Sequence, residues 1–159
     1  MKNHFKVILI SVFVSISIFS QSFNQDKTSF SNFIKRMYMA APFEGVKIVE
    51  DYERKYLISI LSLEKAKYTN PSVMNRVAQV KAQSQANTFL NGATITMDMV
   101  IKTTETKTKD SINTIVETIE SIKQNSMGFT QGLELLTNFE NSDGKRMVFV
   151  YMREMRVEK

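Results

Sequence analysis

The side chains that could carry acid–base chemistry in this sequence are carboxylates. Glu117 and Glu120 lie three residues apart, and Glu50, Asp51 and Glu53 cluster in one polar stretch. Two acids can hydrolyse a glycosidic bond when they face each other across a cleft and burial raises the pKa of one of them. These acids lie in polar surroundings, where Asp and Glu are normally solvated. A hydrolase that uses carboxylates alone is therefore the weakest of three functional hypotheses.

Imidazole and thiol chemistry is absent from the predicted mature chain. The only His is His4, which lies in a predicted signal peptide, and the sequence contains no Cys and no Trp. Ser-His-Asp and Cys-His nucleophiles, the usual zinc sites and disulfides all need these residues. We therefore expect no catalytic residues and no cofactor, and we predict that the protein is not an enzyme.

Methionine sulfur is the remaining soft ligand. The sequence has ten Met residues, and Met97 and Met99 alternate with polar residues in a way that would place both sulfurs on one face of a strand. Such thioethers can bind Cu(I), but soft-metal sites normally add Cys or His. Met between isoleucines is typical of a buried face. We therefore expect no metal site.

The first 22 residues have the features of a secretory signal peptide. Lys2, His4 and Lys6 form a charged start, residues 7–19 are apolar apart from three serines, and residues 20–22 are small or polar. The apolar run is short for a membrane span, which needs about 20 residues. We predict cleavage near Ser20 to Ser22 and a periplasmic or secreted protein.

The predicted mature chain, 23–159, is long enough for one domain. Cleavage removes Lys2 and Lys6 but no acid, which leaves 19 basic side chains against 16 acidic ones. This mild excess of positive charge gives little support to a nucleic-acid partner, and export makes one less expected. These 137 residues can bury a single core.

The stretch 70–92 predicts a helix around which the domain is organised. Asn70 can cap its first turn, Pro71 suits the first helical position, and Gly92 can provide a left-handed stop. A stripe of small side chains recurs every fourth residue, which lets the helix lie close to a sheet. The stripe consists of Ala78, Ala82 and Ala86.

Strands of suitable pattern flank this helix. Residues 55–63 are apolar on both faces and predict a central strand, whereas the alternation in 94–104 predicts a half-buried one. The predicted elements are helices at 29–41 and 110–124, a short strand at 46–49, and a hairpin of 129–139 and 145–155 joined by a turn at 141–144. The many Ile and Thr residues of 110–124 lower its helix propensity and leave a strand as the alternative there. The fold class is α+β: a mainly antiparallel sheet of four to five strands, with helices on one face and a C-terminal hairpin.

This layout resembles the LPP-twenty-type envelope lipoproteins and the N-terminal domain of the flagellar protein FlgT. The resemblance rests on a predicted strand at 56–63 that is followed by a helix with alanine at every fourth position, and on the strand at 94–104. It rests also on the sequence of residues 126–134 and on the turn at Asp143 and Gly144. It covers most of residues 55–155. It implies a small α+β domain of the cell envelope, without catalytic residues to carry over. The Cys that carries the lipid in those lipoproteins is absent here.

The leading functional hypothesis is a non-catalytic exported domain that binds or assembles with another envelope component. A final strand at the edge of the sheet could add a partner's strand, or that of a second copy, through main-chain bonds. The candidate interface residues are Lys145, Met147, Val148, Val150 and Met152. Basic residues at both ends of this strand also allow peripheral contact with a membrane.

The alternative hypothesis is a binding protein for a small apolar ligand. Such a ligand would lie between the helices and the sheet, in a pocket with few polar groups. The candidate lining residues are Phe89, Leu90, Met97, Met99 and Phe149.

Overall fold

The computed structural model describes residues 22–52, 54–92, 94, 96–102 and 110–156. The predicted signal peptide lies outside the described residues, apart from Ser22, which begins the first helix. The elements in chain order are α1 Ser22–Ala40, β1 Gly45–Asp51, β2 Arg54–Glu64, α2 Pro71–Gly92, β3 Val100–Lys102, α3 Asp110–Lys123, α4 Ser126–Gln131, β4 Glu134–Glu140 and β5 Arg146–Glu154.

The strands form one mixed sheet in the order β3-β1-β2-β5-β4. All neighbouring strands pair antiparallel except β1 and β3, which pair parallel over three residues. β2 lies at the centre and is buried from Leu57 to Leu63, as its apolar pattern predicts. The α+β class, the mainly antiparallel sheet and the C-terminal β4–β5 hairpin are thus confirmed.

Helix α2 packs on one face of the sheet through its alanine stripe. Ala78, Ala82 and Ala86 are fully buried, in a core cluster that also contains Leu57 and Phe149. The buried isoleucines of α3 and Phe129 of α4 belong to the same cluster. The short side chains bring the helix close to the strands, and the larger ones around them fill the layer.

Helix α1 covers the opposite face, so the sheet has helices on both faces and not on one face only. Phe30, Ile34 and Tyr38 form a second core cluster with Ile58 and Val150 among other strand residues. The physical reason is that the central strands are apolar on both sides, and burying only one side would leave the other in water. The amphipathic pattern predicted this helix, which begins earlier than expected.

Two predicted strands are partly helical. Residues 97–99 form a short 3-10 turn closed by a bond from Met99 N to Thr96 O, so among the described residues of the predicted strand 94–104 it is Val100–Lys102 that pairs as β3. Residues 126–131 form α4, because the Asn125 side chain accepts a bond from the Gly128 N–H and caps the helix. Met97 and Met99 therefore do not share a strand face.

Most of the residues predicted to cap a helix or to form a turn do so. Asn70 Oδ1 accepts a 2.8 Å bond from Ser72 N at the start of α2, and Gly144 has a positive φ in the β4–β5 turn. Gly92 does not act as the left-handed stop, because it keeps a negative φ within α2. Among helices in the described ranges, none has both the length and the apolar character needed to cross a bilayer.

Candidate functional site

The structure corrects the predicted interface on the last strand. β5 lies inside the sheet and pairs with β2 on one side and with β4 on the other. Its backbone bonds are therefore used on both sides, and Val148 and Val150 are fully buried under α1. The predicted edge residues Lys145, Met147, Val148, Val150 and Met152 cannot offer a free edge, since β4 covers that side.

β3 and β4 are the two edge strands of the sheet, and β4 is the one that belongs to the C-terminal hairpin. Within the described part of the chain no strand pairs with its outer side, which we call the β4 edge. Glu134, Leu135, Asn138 and Glu140 are exposed along it, and Leu135 is 44% exposed. A register shift between Leu135 and Thr137 interrupts the pairing with β5, so the regular part of β4 starts at Thr137.

The backbone groups that face outward from β4 follow from its pairing. Asn141 N donates to Arg146 O at 3.0 Å, which makes this pair a hydrogen-bonded one. Bonded and non-bonded pairs alternate along an antiparallel ladder. Asn138 therefore forms a non-hydrogen-bonded pair with Phe149, and Glu140 forms one with Met147. Their N–H and C=O groups point away from β5 and are available to a further strand.

Helix α1 lies along β4 and supplies positive charge beside the β4 edge. Lys27 Nζ lies 3.7 Å from Glu134 Oε2, and Lys35 Nζ lies 5.6 Å from the centre of the Phe139 ring. Ser31 stands between the two lysines at the same four-residue spacing and is half-buried. We call Lys27, Ser31 and Lys35 the lysine flank.

The opposite face of the β4 edge is close to neutral in charge. Lys65 Nζ forms a 2.6 Å ion pair with Glu140 Oε1, and both side chains are exposed. Asn138 and Leu135 carry no charge. Among the side chains that the structure describes at this edge, the excess of positive charge lies on the α1 side, where Lys27 and Lys35 stand near the carboxylate of Glu134.

The predicted pocket residues lie in and around the first core. Leu90 and Phe149 are fully buried members of that core, and Phe89 packs against it half-buried. Met99 is half-buried next to β3, and the side chain of Met97 lies outside the described part of the structure. The structure thus brings together three of the five residues, as packing partners between α2 and the sheet.

A polar cluster at one end of the sheet links Ser62 with Glu44 and Arg146. The Ser62 hydroxyl donates to Glu44 Oε1, while Arg146 Nε donates to Ser62 Oγ at 2.7 Å. Arg146 also pairs with Glu64 at 3.5 Å, and Ser62 is only 6% exposed. The Ser62 hydroxyl, buried and hydrogen-bonded on both sides, joins the ends of β2 and β5 to the α1–β1 connection.

The candidate acids that the structure describes lie apart, on α3 and on β1. Glu117 and Glu120 are exposed on α3, and Glu120 pairs with Lys123 at 2.6 Å. Glu50 pairs with Lys102 at 3.3 Å, and Glu53 lies outside the described residues. Within the described ranges, no group of three His, Cys, Asp or Glu side chains is placed to hold a metal ion.

The lysine flank and the β4 edge are not among the sites that the sequence predicts. The signals were present: Lys27 and Lys35 lie two helical turns apart on α1, and Glu134 and Glu140 close both ends of the β4 sequence. Charged residues at strand ends are typical of edges. Only the strand order makes these two signals part of one surface.

No family model matches this chain, and comparisons with curated proteins and with solved structures find no similar protein. The candidate site therefore stands on its own geometry.

Proposed function

We propose that this protein is a non-catalytic exported domain of the cell envelope that binds a partner by adding the partner's strand to its sheet. The observation that carries the proposal is the β4 edge, where Asn138 and Glu140 direct main-chain donors and acceptors outward. Strand addition uses such groups for affinity, and the side chains around the edge for selectivity.

The form of the β4 edge supports selective pairing over uncontrolled aggregation. The register shift at Leu135 and Thr137 leaves only a short regular stretch, Thr137 to Glu140. Bulges and charged residues are the devices that protect edge strands from indiscriminate pairing. A partner must therefore match a short and charged edge.

The location in the envelope rests on the sequence. The predicted signal peptide supports export, and the resemblance to envelope lipoproteins supports a place in the periplasm or on an envelope component. N-terminal sequencing of the processed chain after cell fractionation tests this part of the proposal. A chain that keeps its first 20 residues and stays in the cytoplasm would contradict it.

The binding itself is tested with a proline at the free edge. Asn138→Pro removes an outward N–H without removing a bond to β5, so the domain should fold while strand addition is blocked. The matched control is Asn138→Ala, which keeps the N–H. We expect cross-linking in envelope extract to give one discrete adduct with the wild type and with Asn138→Ala, and none with Asn138→Pro. An adduct that forms equally with all three proteins would show that the β4 edge is not the binding site.

A further inference from the structure

We infer that the strand added at the β4 edge is an extended segment of another protein that carries two acidic residues four positions apart on the face toward α1. This inference rests on the proposed function and specifies its partner. The surface that selects the partner is the lysine flank of α1, which stands over the position an added strand would take.

The contacts of α1 fix where this flank lies. Lys27 reaches Glu134 at the start of β4, Lys35 lies over Phe139 near its end, and Met39 Sδ accepts a 3.8 Å bond from Ser142 in the following turn. The helix therefore runs along β4 in the same direction. The opposite flank of α1, with Phe33 and Met37, packs toward the centre of the sheet in the second core. The lysine flank consequently faces outward, over the β4 edge.

The spacing of the two lysines matches that of a strand. Eight residues of helix span about 12 Å at 1.5 Å per residue. Two side chains four residues apart on a strand lie on the same face and are separated by about 13 Å. One acid can thus approach Lys35 while the other approaches Lys27. Glu134 competes for Lys27, but its side chain is 76% exposed and can turn toward water.

The charges of the lysine flank disfavour a second copy of this chain as the strand added at the β4 edge. Antiparallel pairing of two β4 edges would bring the two lysine flanks face to face on one side of the joined sheet. Like charges brought together in this way repel each other. An acidic segment places carboxylates beside the same lysines and avoids this repulsion.

The probes are three synthetic nine-residue peptides that differ only in charge. The acidic peptide is Thr-Val-Glu-Val-Thr-Val-Glu-Val-Thr, and the other two replace both Glu residues by Gln or by Lys. Fluorescence anisotropy with the processed full chain measures the affinities. At low salt we expect the acidic peptide to bind about two- to tenfold more tightly than the Gln peptide, and the Lys peptide to bind most weakly. Raising the salt to about 0.5 M should remove most of the preference.

Matched variants assign the effect to the lysine flank. Lys35→Glu should abolish the preference for the acidic peptide, whereas Lys81→Glu, the same change of charge on an exposed position of α2, should keep it. Glu134→Gln should strengthen binding of the acidic peptide, because it removes the carboxylate that competes for Lys27.

The outcomes separate the inference from the proposed function. Equal binding of the three peptides, lost in Asn138→Pro, would overturn the acidic partner and retain strand addition. Binding that does not respond to Asn138→Pro, or no binding by any peptide, would overturn both. A dimer of the wild-type chain in sedimentation at low salt would make a second copy the occupant and overturn the inference.

Discussion

Tyr52 is held in a backbone conformation that does not suit it. It occupies the turn between β1 and β2 with φ +53°, the left-handed region, and its side chain is 78% exposed. A residue with a Cβ loses about 1–2 kcal/mol there, and the two-residue turns of β-hairpins favour Asn or Gly at such positions. The exposed ring makes little contact that could offset this strain.

We therefore expect Tyr52→Asn to stabilise the protein by about 0.5–1 kcal/mol, because Asn tolerates a positive φ and the ring contributes little packing. Urea unfolding followed by circular dichroism measures the change. Tyr52→Phe keeps the strain and should leave the unfolding midpoint unchanged. A loss of stability in Tyr52→Asn comparable to that of a core substitution would show that the ring has packing partners.

Tyr38 and Tyr151 should titrate at a higher pH in the folded protein than in the unfolded chain. Burial raises the pKa of Tyr38, and the nearby Glu44 carboxylate raises it further, against the opposing effects of Ser62 and Arg146. Burial also raises the pKa of Tyr151, whose hydroxyl donates a 3.4 Å bond to Asn75 O. Both groups remain neutral in the folded protein at a pH where the unfolded chain ionises them.

The late titration of these tyrosines makes the free energy of unfolding depend on pH in the alkaline range. Below the unfolded pKa of about 10 both states are neutral and the full stability is present. Above it the unfolded state loses protons first, so the stability falls as the pH rises toward the folded pKa. In a titration followed at 295 nm, Tyr38→Phe and Tyr151→Phe should each reduce the late absorbance change by the contribution of one tyrosine. A late absorbance change that is undiminished in either variant would contradict the assignment for that residue.

At the scale of elements, α4 depends on Arg153 of β5. The guanidinium donates to the carbonyls of Gly128 and Phe129 and lies 4.7 Å from the centre of the Phe129 ring. A Cβ at Gly132 would collide with this same guanidinium, although the φ of −85° at Gly132 suits any residue. A side chain at Gly132 would therefore have to displace the Arg153 guanidinium, whereas the backbone at this position would accept one.

A double-mutant cycle tests this coupling. Gly132→Ala should cost about 1–3 kcal/mol of unfolding free energy, because Arg153 must move and leave its carbonyl partners. In an Arg153→Ala background the same change should cost much less. Gly92→Ala, where a Cβ meets no atom within 4 Å, should be neutral or stabilising. Additive effects of Gly132→Ala and Arg153→Ala would refute the coupling.

The elements also show what local sequence can predict and what it cannot. The alanine stripe of α2 and the turn at Gly144 were predictable, because periodicity and turn chemistry are local properties. The position of β5 is a property of strand order, which depends on contacts distant in sequence. Even so, the apolar run from Met147 to Met152 is typical of an interior strand, whereas β4 carries charges at both ends. Comparing the two strands of the hairpin would have identified β4 as the edge.

At the scale of the whole molecule, the two cores make α1 an integral layer. Ile34 of α1 and Ile119 of α3 are both almost completely buried, on opposite faces of the sheet. The strands between them contribute side chains to both cores. A change in either helix should therefore lower the stability of the entire domain in one cooperative transition.

We expect Ile34→Ala and Ile119→Ala each to lower the free energy of unfolding by about 2–5 kcal/mol, since each removes a fully packed side chain. The two costs should add, because the sites share no partners across the sheet. Arg36→Ala, at an exposed position of α1, should change the unfolding free energy by less than about 0.5 kcal/mol.

Urea unfolding followed both by far-ultraviolet circular dichroism and by tyrosine fluorescence measures whether α1 separates from the sheet before the rest of the domain unfolds. If Ile34→Ala left the main transition in place and created an earlier one, α1 would be a detachable helix. The lysine flank would then no longer be fixed over the β4 edge.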